Sequence, residues 1–211
     1  MTDASRTESW LDDARLSGQV AFIAEIDRLK GVLRHTLTLD GARRENSAEH
    51  SWHISMFAML MHEYTPEPRP DLARVIQLLL LHDIVEIDAG DTFAYDTAGY
   101  ADKEEREQAA ARRLFGLLPT GQRDRWTALW REFEEGVTPE AQYANAVDRL
   151  LPLVQNYYSG GVSWVRNGIT HSQVVRRIAP VAATSPVMWS FALELLDRAV
   201  DRGLLRDDRS H

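Results

Sequence analysis

The segment LLLLHDIVEIDAGDTFAYD, residues 78–96, places His82 and Asp83 directly behind four leucines and follows them with Glu86, Asp88 and Asp91. Apolar runs belong in a core, where an ionisable group is costly unless it is paired or binds a metal. Two further residues of this kind lie on stripes that should face inward. His50 shares a helical face with Ile54, Phe57, Ala58 and Met61, whereas His53 shares its face with a less consistent set. Asp148 lies in the stripe Ala144, Val147, Leu151, Val154. Taken singly, His50 reads as a core histidine bonded to a backbone carbonyl, and His82-Asp83 as a hydrogen-bonded pair at a helix end. Taken together they read differently. A buried lone carboxylate needs a partner, and Arg149, next along the chain, points elsewhere on the helix. Two imidazoles and two carboxylates facing one interior make an N/O site for one divalent transition metal ion such as Mn, Fe, Co, Ni or Zn. A closed tetrahedron would be structural, and an octahedral ion would keep positions open for chemistry. Glu86, one turn after His82, is placed either to hydrogen-bond a water or substrate or to orient His82.

Helical periodicity supplies the elements that must position these groups, and no convincing run of strict apolar–polar alternation is present. The fold class is all-α. Val20, Ile23, Ile26, Leu29 and Leu33 predict a first amphipathic helix over about 18–34, followed by a loop, HTLTLDGARRENS, with an Asp-Gly turn. Asn46 followed by Glu49 predicts a capping box opening a second helix, and Asp71 opens a third that runs to His82. The turn-rich segment DAGDTFAYDTAGY is a candidate pocket rim. A polar helix starts near Ala101, and another carries Trp126, Leu129, Trp130 and Phe133 as core or dimer packing. Thr138 and Pro139 open the helix bearing Asp148, which ends at Gly160-Gly161. A last helix runs from about Pro186 to Arg202.

At 211 residues and 44% hydrophobic content the chain has material for one domain, with about 1–17 a flexible N-terminal segment and about 181–211 C-terminal packing. The net charge of −8 opposes binding to nucleic acid or anionic membranes, and the pairs Arg43-Arg44, Arg112-Arg113 and Arg176-Arg177 read as solvated helix faces. Without cysteine, thiolate ligands are excluded and a reducing, cytoplasmic setting is expected. The N-terminus lacks a leader pattern, so a soluble, unprocessed protein is expected.

The order His50, His82-Asp83, Asp148 resembles the H…HD…D signature of the HD-domain metal-dependent phosphohydrolases. With ENSAEHSWHIS, LLLLHDIVEIDAGD and KEEREQAA, the likeness narrows to the 5'-deoxynucleotidase branch, the YfbR-like and HDDC2-like proteins, over about 29–151. That resemblance implies a helical HD-domain bundle with one metal ion held in its core by His50, His82, Asp83 and Asp148. It also implies hydrolysis of nucleoside 5'-monophosphates, deoxyribonucleotides above all. Glu86 would manage water and leaving-group protons, Asp91 would bond the sugar or water network, and Arg34 would orient the phosphate. His35 stands where the family has an aromatic residue against the sugar, and Asp91, Thr92, Phe93 and Ala94 form the substrate rim. The partners implied are a small nucleotide and a second copy of the chain as a homodimer, to which Met188, Phe191, Leu195 and Leu196 could contribute. Alternatives are an HD-type hydrolase of another phosphate ester or nucleotide, dinuclear iron chemistry, and a non-catalytic helical module in which the metal is structural. Asp88, outside the motif, is expected to be an ordinary surface carboxylate.

Overall fold

The structure, a computed structural model, describes residues 13–96 and 98–209. Residues 1–12 of the predicted N-terminal segment lie outside that range, and the rest of the segment is ordered. Asp13 accepts hydrogen bonds from the backbone of Arg15 and Leu16 and so caps α1 (Ala14–Ile26). The predicted first helix is too long and its stripe is out of phase. Helical structure tightens into a 3-10 turn at Asp27–Gly31, and Leu33 begins a strand. Val20, Ile23 and Leu33 are exposed, and the buried residue of α1 is Phe22, which packs edge-on against Trp126 at 5.1 Å. The face that docks is set by Gly18: a Cβ there would lie 2.7 Å from the Leu117 carbonyl oxygen. Ala in place of Gly normally strengthens a helix. Here the clash is with backbone, so Gly18→Ala is expected to destabilise by about 1–3 kcal/mol. A thermal midpoint at or above that of the parent protein would show that α1 docks differently.

The predicted loop after this helix contains a small hairpin, β1 (Leu33–Leu37) and β2 (Arg44–Asn46), paired antiparallel. Its turn is closed by the Gly41 amide donating to the Thr38 carbonyl at 2.8 Å, with Gly41 at φ +70. Arg44 seals it by donating to the Leu33 carbonyl at 2.6 Å and to the Arg34 carbonyl.

Asn46 ends β2 and caps α2 (Ser47–Met61) in the predicted capping box with Glu49. Asp71 caps α3 (Leu72–Leu81), whose Leu78, Leu79 and Leu81 are buried while Leu80 is exposed. The chain then tightens into a 3-10 turn at His82–Val85, makes the single turn α4 (Glu86–Ala89) and is broken by Gly90 at φ +76. The following helices are α5 (Lys103–Phe115), α6 (Thr120–Glu135), α7 (Pro139–Tyr158), α8 (Val162–Arg166), α9 (His171–Ile178), α10 (Val181–Thr184) and α11 (Pro186–Asp201). Thr138 caps α7 and Pro139 occupies its first position, as predicted. α7 is the central element: it packs against α2, α3, α6, α9, α10 and α11. Trp130, Leu129 and Phe133 enter the core from α6, and Met188, Leu195 and Leu196 from α11, whereas Phe191 is exposed. No helix among the described residues is long and apolar enough to cross a membrane.

Candidate metal centre and substrate cavity

The four predicted ligands come from α2, the end of α3 and α7 itself. His50 is fully buried on the inward face of α2, with Ile54 and Ala58 of the same stripe. His82 and Asp83 sit where α3 gives way to the 3-10 turn. That break lets consecutive side chains, about 100° apart on a regular helix, approach one point. Asp148 projects from α7 toward both imidazoles. Its Oδ1 lies 3.0 Å from His50 Nε2 and 3.7 Å from His82 Nε2, and Asp83 Oδ1 lies 2.9 Å from His82 Nε2. One ligand atom each from His50, His82 and Asp83 lie within 4.8 Å of one another. Atoms that share one ion at about 2.1 Å stand about 3.0 Å apart when adjacent and about 4.2 Å apart when opposite, so His50, His82 and Asp83 lie close to the spacing that one ion needs.

The outer nitrogens fix the tautomers. His82 Nδ1 donates to the Leu79 carbonyl at 2.7 Å, which leaves Nε2 as the inward atom. His82 Nε2 is buried and makes no properly directed hydrogen bond despite its two acidic neighbours. His50 Nδ1 donates to Glu45 Oε2 at 3.2 Å, and Gln155 Nε2 donates to Glu45 Oε1 at 2.7 Å. Burial pushes the Glu45 carboxyl up, but the His50 and Gln155 contacts outweigh it and hold Glu45 below the usual carboxylate range. This is the carboxylate–histidine arrangement that orients a metal-binding imidazole. Sequence reading missed Glu45: it precedes the α2 cap, so helical periodicity carries no signal for it. Glu45→Gln is expected to weaken divalent-metal affinity about 10–100-fold while leaving the ligands in place. Unchanged affinity in a metal-buffered titration would remove Glu45 from the site.

The electrostatics favour a cation at the same point. Burial raises the carboxyls of Asp83 and Asp148, yet Asp83 is held low by His82 and Arg34, and Asp148 well below its usual value by the two imidazoles. Burial lowers His82, yet Asp83 and Asp148 outweigh it and keep the imidazole well above its usual value. Glu86 goes the other way: burial and then the Asp83 charge raise its carboxyl well above the ordinary range, against the pull of Arg34. Glu86 does not orient His82. Its Oε2 accepts from the Ser47 hydroxyl at 2.6 Å, and its Oε1 faces Arg34 Nη1 at 3.9 Å.

Arg34, from β1, connects this cluster to a cavity. Its Nη1 donates to Asp83 Oδ2 at 2.8 Å and lies 3.8 Å from Asp91 Oδ1, and its Nε is buried without a partner. Asp91 Oδ2 accepts from the His35 backbone amide at 3.2 Å, which ties the rim to the hairpin. The cavity encloses about 100 Å³, opens to solvent, and is lined by all the predicted rim residues: Arg34, His35, Asp91, Thr92, Phe93 and Ala94. Asp148 forms part of its floor. The His35 ring rests on Phe93 at 4.7 Å between centroids.

Arg149 forms no ion pair with Asp148, as expected, and it lines this cavity. Arg177, expected on a solvated helix face, is half-buried and lines the same cavity. The pair Arg112-Arg113 is exposed on α5, as expected, and Asp88 is an exposed carboxylate that pairs with Arg113, which also binds Glu25 at 2.7 Å; Arg43, exposed on the hairpin turn, binds Glu49 at 2.8 Å.

An HD domain family model matches residues 26–189 of the chain. A crystal structure described as a predicted metal-dependent phosphohydrolase from Magnetospirillum magnetotacticum MS-1 has a TM-score of 0.87 and 49% identity, covering 92% of this chain and 96% of that one. The 5'-deoxynucleotidase HDDC2 of Danio rerio is 28% identical over 141 residues, 66% of this chain and 68% of that protein. The Homo sapiens protein of the same name is 27% identical over 135 residues, 64% of each chain.

Proposed function

This chain belongs to the HD domain family and is a phosphohydrolase of that type, and we propose that it hydrolyses nucleoside 5'-monophosphates, deoxyribonucleotides in preference, to nucleoside and phosphate. The observation that carries the reading is the position of Arg34, which touches Asp83 of the buried cluster at 2.8 Å and lines the cavity beside it. One guanidinium thus faces both the candidate metal ligands and a cleft that opens to solvent. The names of the curated relatives support the monophosphate substrate.

In this reading His50, His82, Asp83 and Asp148 hold one divalent ion, which supplies Lewis-acid activation of the phosphoryl group and of water. Arg34 presents its fork to the phosphate dianion, held in place by Asp83. Glu86 carries the proton. Its raised affinity for a proton suits donation to the 5' oxygen as the phosphorus–oxygen bond breaks, and the Ser47 hydroxyl fixes its other oxygen. Asp91, anchored on the His35 amide, accepts from a sugar hydroxyl or water. Phe93, Tyr95 and Trp164 wall the cavity and give a base and sugar apolar surfaces. A homodimer belongs to the same reading, supported by the exposed apolar stripe Trp52, Met56, Met59, Leu60 along α2. The cysteine-free composition supports a cytoplasmic setting.

The test is phosphate release from a panel of ribo- and deoxyribonucleoside 5'-monophosphates in several divalent ions. Release that stops with a chelator and returns with metal is expected, fastest on deoxyribonucleotides. Metal-loaded protein inert on every monophosphate would overturn the reading.

A further inference from the structure

We propose that Arg149 and Arg177 form a second anion subsite in the cavity, so that the preferred substrate carries a second phosphate in addition to the scissile one. The identity of the scissile phosphate rests on the function proposed above; the binding of a second one does not.

Six arginines of the described chain are half-buried: Arg34, Arg44, Arg74, Arg106, Arg149 and Arg177. Four are satisfied. Arg34 binds Asp83 at 2.8 Å, Arg44 binds strand carbonyls, Arg74 binds Glu132, and Arg106 binds Asp102 at 2.9 Å. The remaining two form no ion pair among the described residues, and they line the same cavity, Arg149 from α7 and Arg177 from α9. Arg149 makes one marginal contact, to the Asn145 side-chain oxygen at 3.5 Å, and its buried Nε has no partner. Two half-buried guanidinium groups that line one cavity and have no ion pair are costly to hold there, and a bound anion relieves that cost. A neutral base edge satisfies donors but leaves the charge unbalanced.

A third residue lines the same cavity. Asn156 is 7% exposed, its amide nitrogen donates to the Pro152 carbonyl at 2.8 Å, and its Oδ1 is buried without a partner. Asn156 lines the cavity with the two arginines, so it offers an acceptor to a ligand hydroxyl or N–H. Arg34 and the metal cluster match one phosphate, and Arg149 with Arg177 match another. A nucleoside bisphosphate has this chemistry.

The test is calorimetric titration of metal-loaded Glu86→Gln protein, which binds without turnover, with adenosine 5'-monophosphate and with the 3',5'- and 2',5'-bisphosphates. At least one bisphosphate is expected to bind about tenfold tighter than the monophosphate, the size of one charge-assisted contact. That ratio should fall below about twofold in Arg177→Gln and in Arg149→Gln, survive in part in Arg177→Lys, and shrink with added salt. Equal affinities for mono- and bisphosphates, or a preference that survives both glutamine variants, would overturn the subsite. A bisphosphate preference in binding, in a wild-type protein that hydrolyses neither class, would refute the phosphomonoesterase reading and leave the subsite standing.

Discussion

Glu86→Gln is expected to leave the protein folded and loaded with its divalent ion and to lower kcat by about two to four orders of magnitude, the range for loss of a positioned acid–base group. The side chain is buried and its Oε2 is held by the Ser47 hydroxyl at 2.6 Å, so an amide of the same shape keeps the packing and loses only the proton. It does not touch His82, and it stands 3.9 Å from Arg34, beside the phosphate site rather than within the ligand set. The effect should therefore appear in kcat with metal content unchanged. A Glu86→Gln protein with full metal and wild-type turnover would remove the proton-carrying role.

Asp83→Asn and Asp83→Ala are expected to lose both the metal and all turnover. Asp83 makes two of the shortest contacts in the cluster, 2.9 Å to His82 Nε2 and 2.8 Å to Arg34. Asparagine keeps its size but not its charge, so the ion loses an anionic ligand while the cavity keeps its shape. Both changes remove the carboxylate nearest the largely buried Arg34, and breaking a buried pair in this way costs about 3–5 kcal/mol. Asparagine keeps an oxygen that can accept from the guanidinium, whereas alanine leaves no partner there. The alanine variant should thus unfold at a lower temperature than the asparagine variant, while both lack metal by elemental analysis. Stoichiometric metal in Asp83→Asn with wild-type turnover would show that the ion, if it binds, is held elsewhere.

Much of this site was legible because its signals are local. The capping box of Asn46 and Glu49 fixed where α2 starts, and with it the phase that turns His50 inward beside Ile54 and Ala58. The stripe of α7 placed Asp148 toward the core in the same way, and Asp71 set the register of α3 up to His82. Where local signals were weak the reading slipped. Val20 and Ile23 follow helical spacing but face solvent, because α1 docks through Gly18 and Phe22 against the chain around Leu117. The hairpin strands are five and three residues long, too short for alternation to stand out, yet they carry Arg34 and deliver Glu45 to His50.

The sequence by itself determined the helices, their caps and the identity of the groups that face inward, because a helix's phase follows from a few residues within one or two turns. Tertiary structure alone decided what those groups meet. The 3-10 turn after α3 brings His82 and Asp83 to one point, the β1–β2 pairing aims Glu45 at the outer nitrogen of His50, and the packing of α9 on α7 puts Arg177 and Arg149 on one cavity wall. Glu45 alone joins residues 5 and 110 positions away, His50 and Gln155. The geometry of these contacts is set by how whole elements dock, and no periodicity along the chain records it.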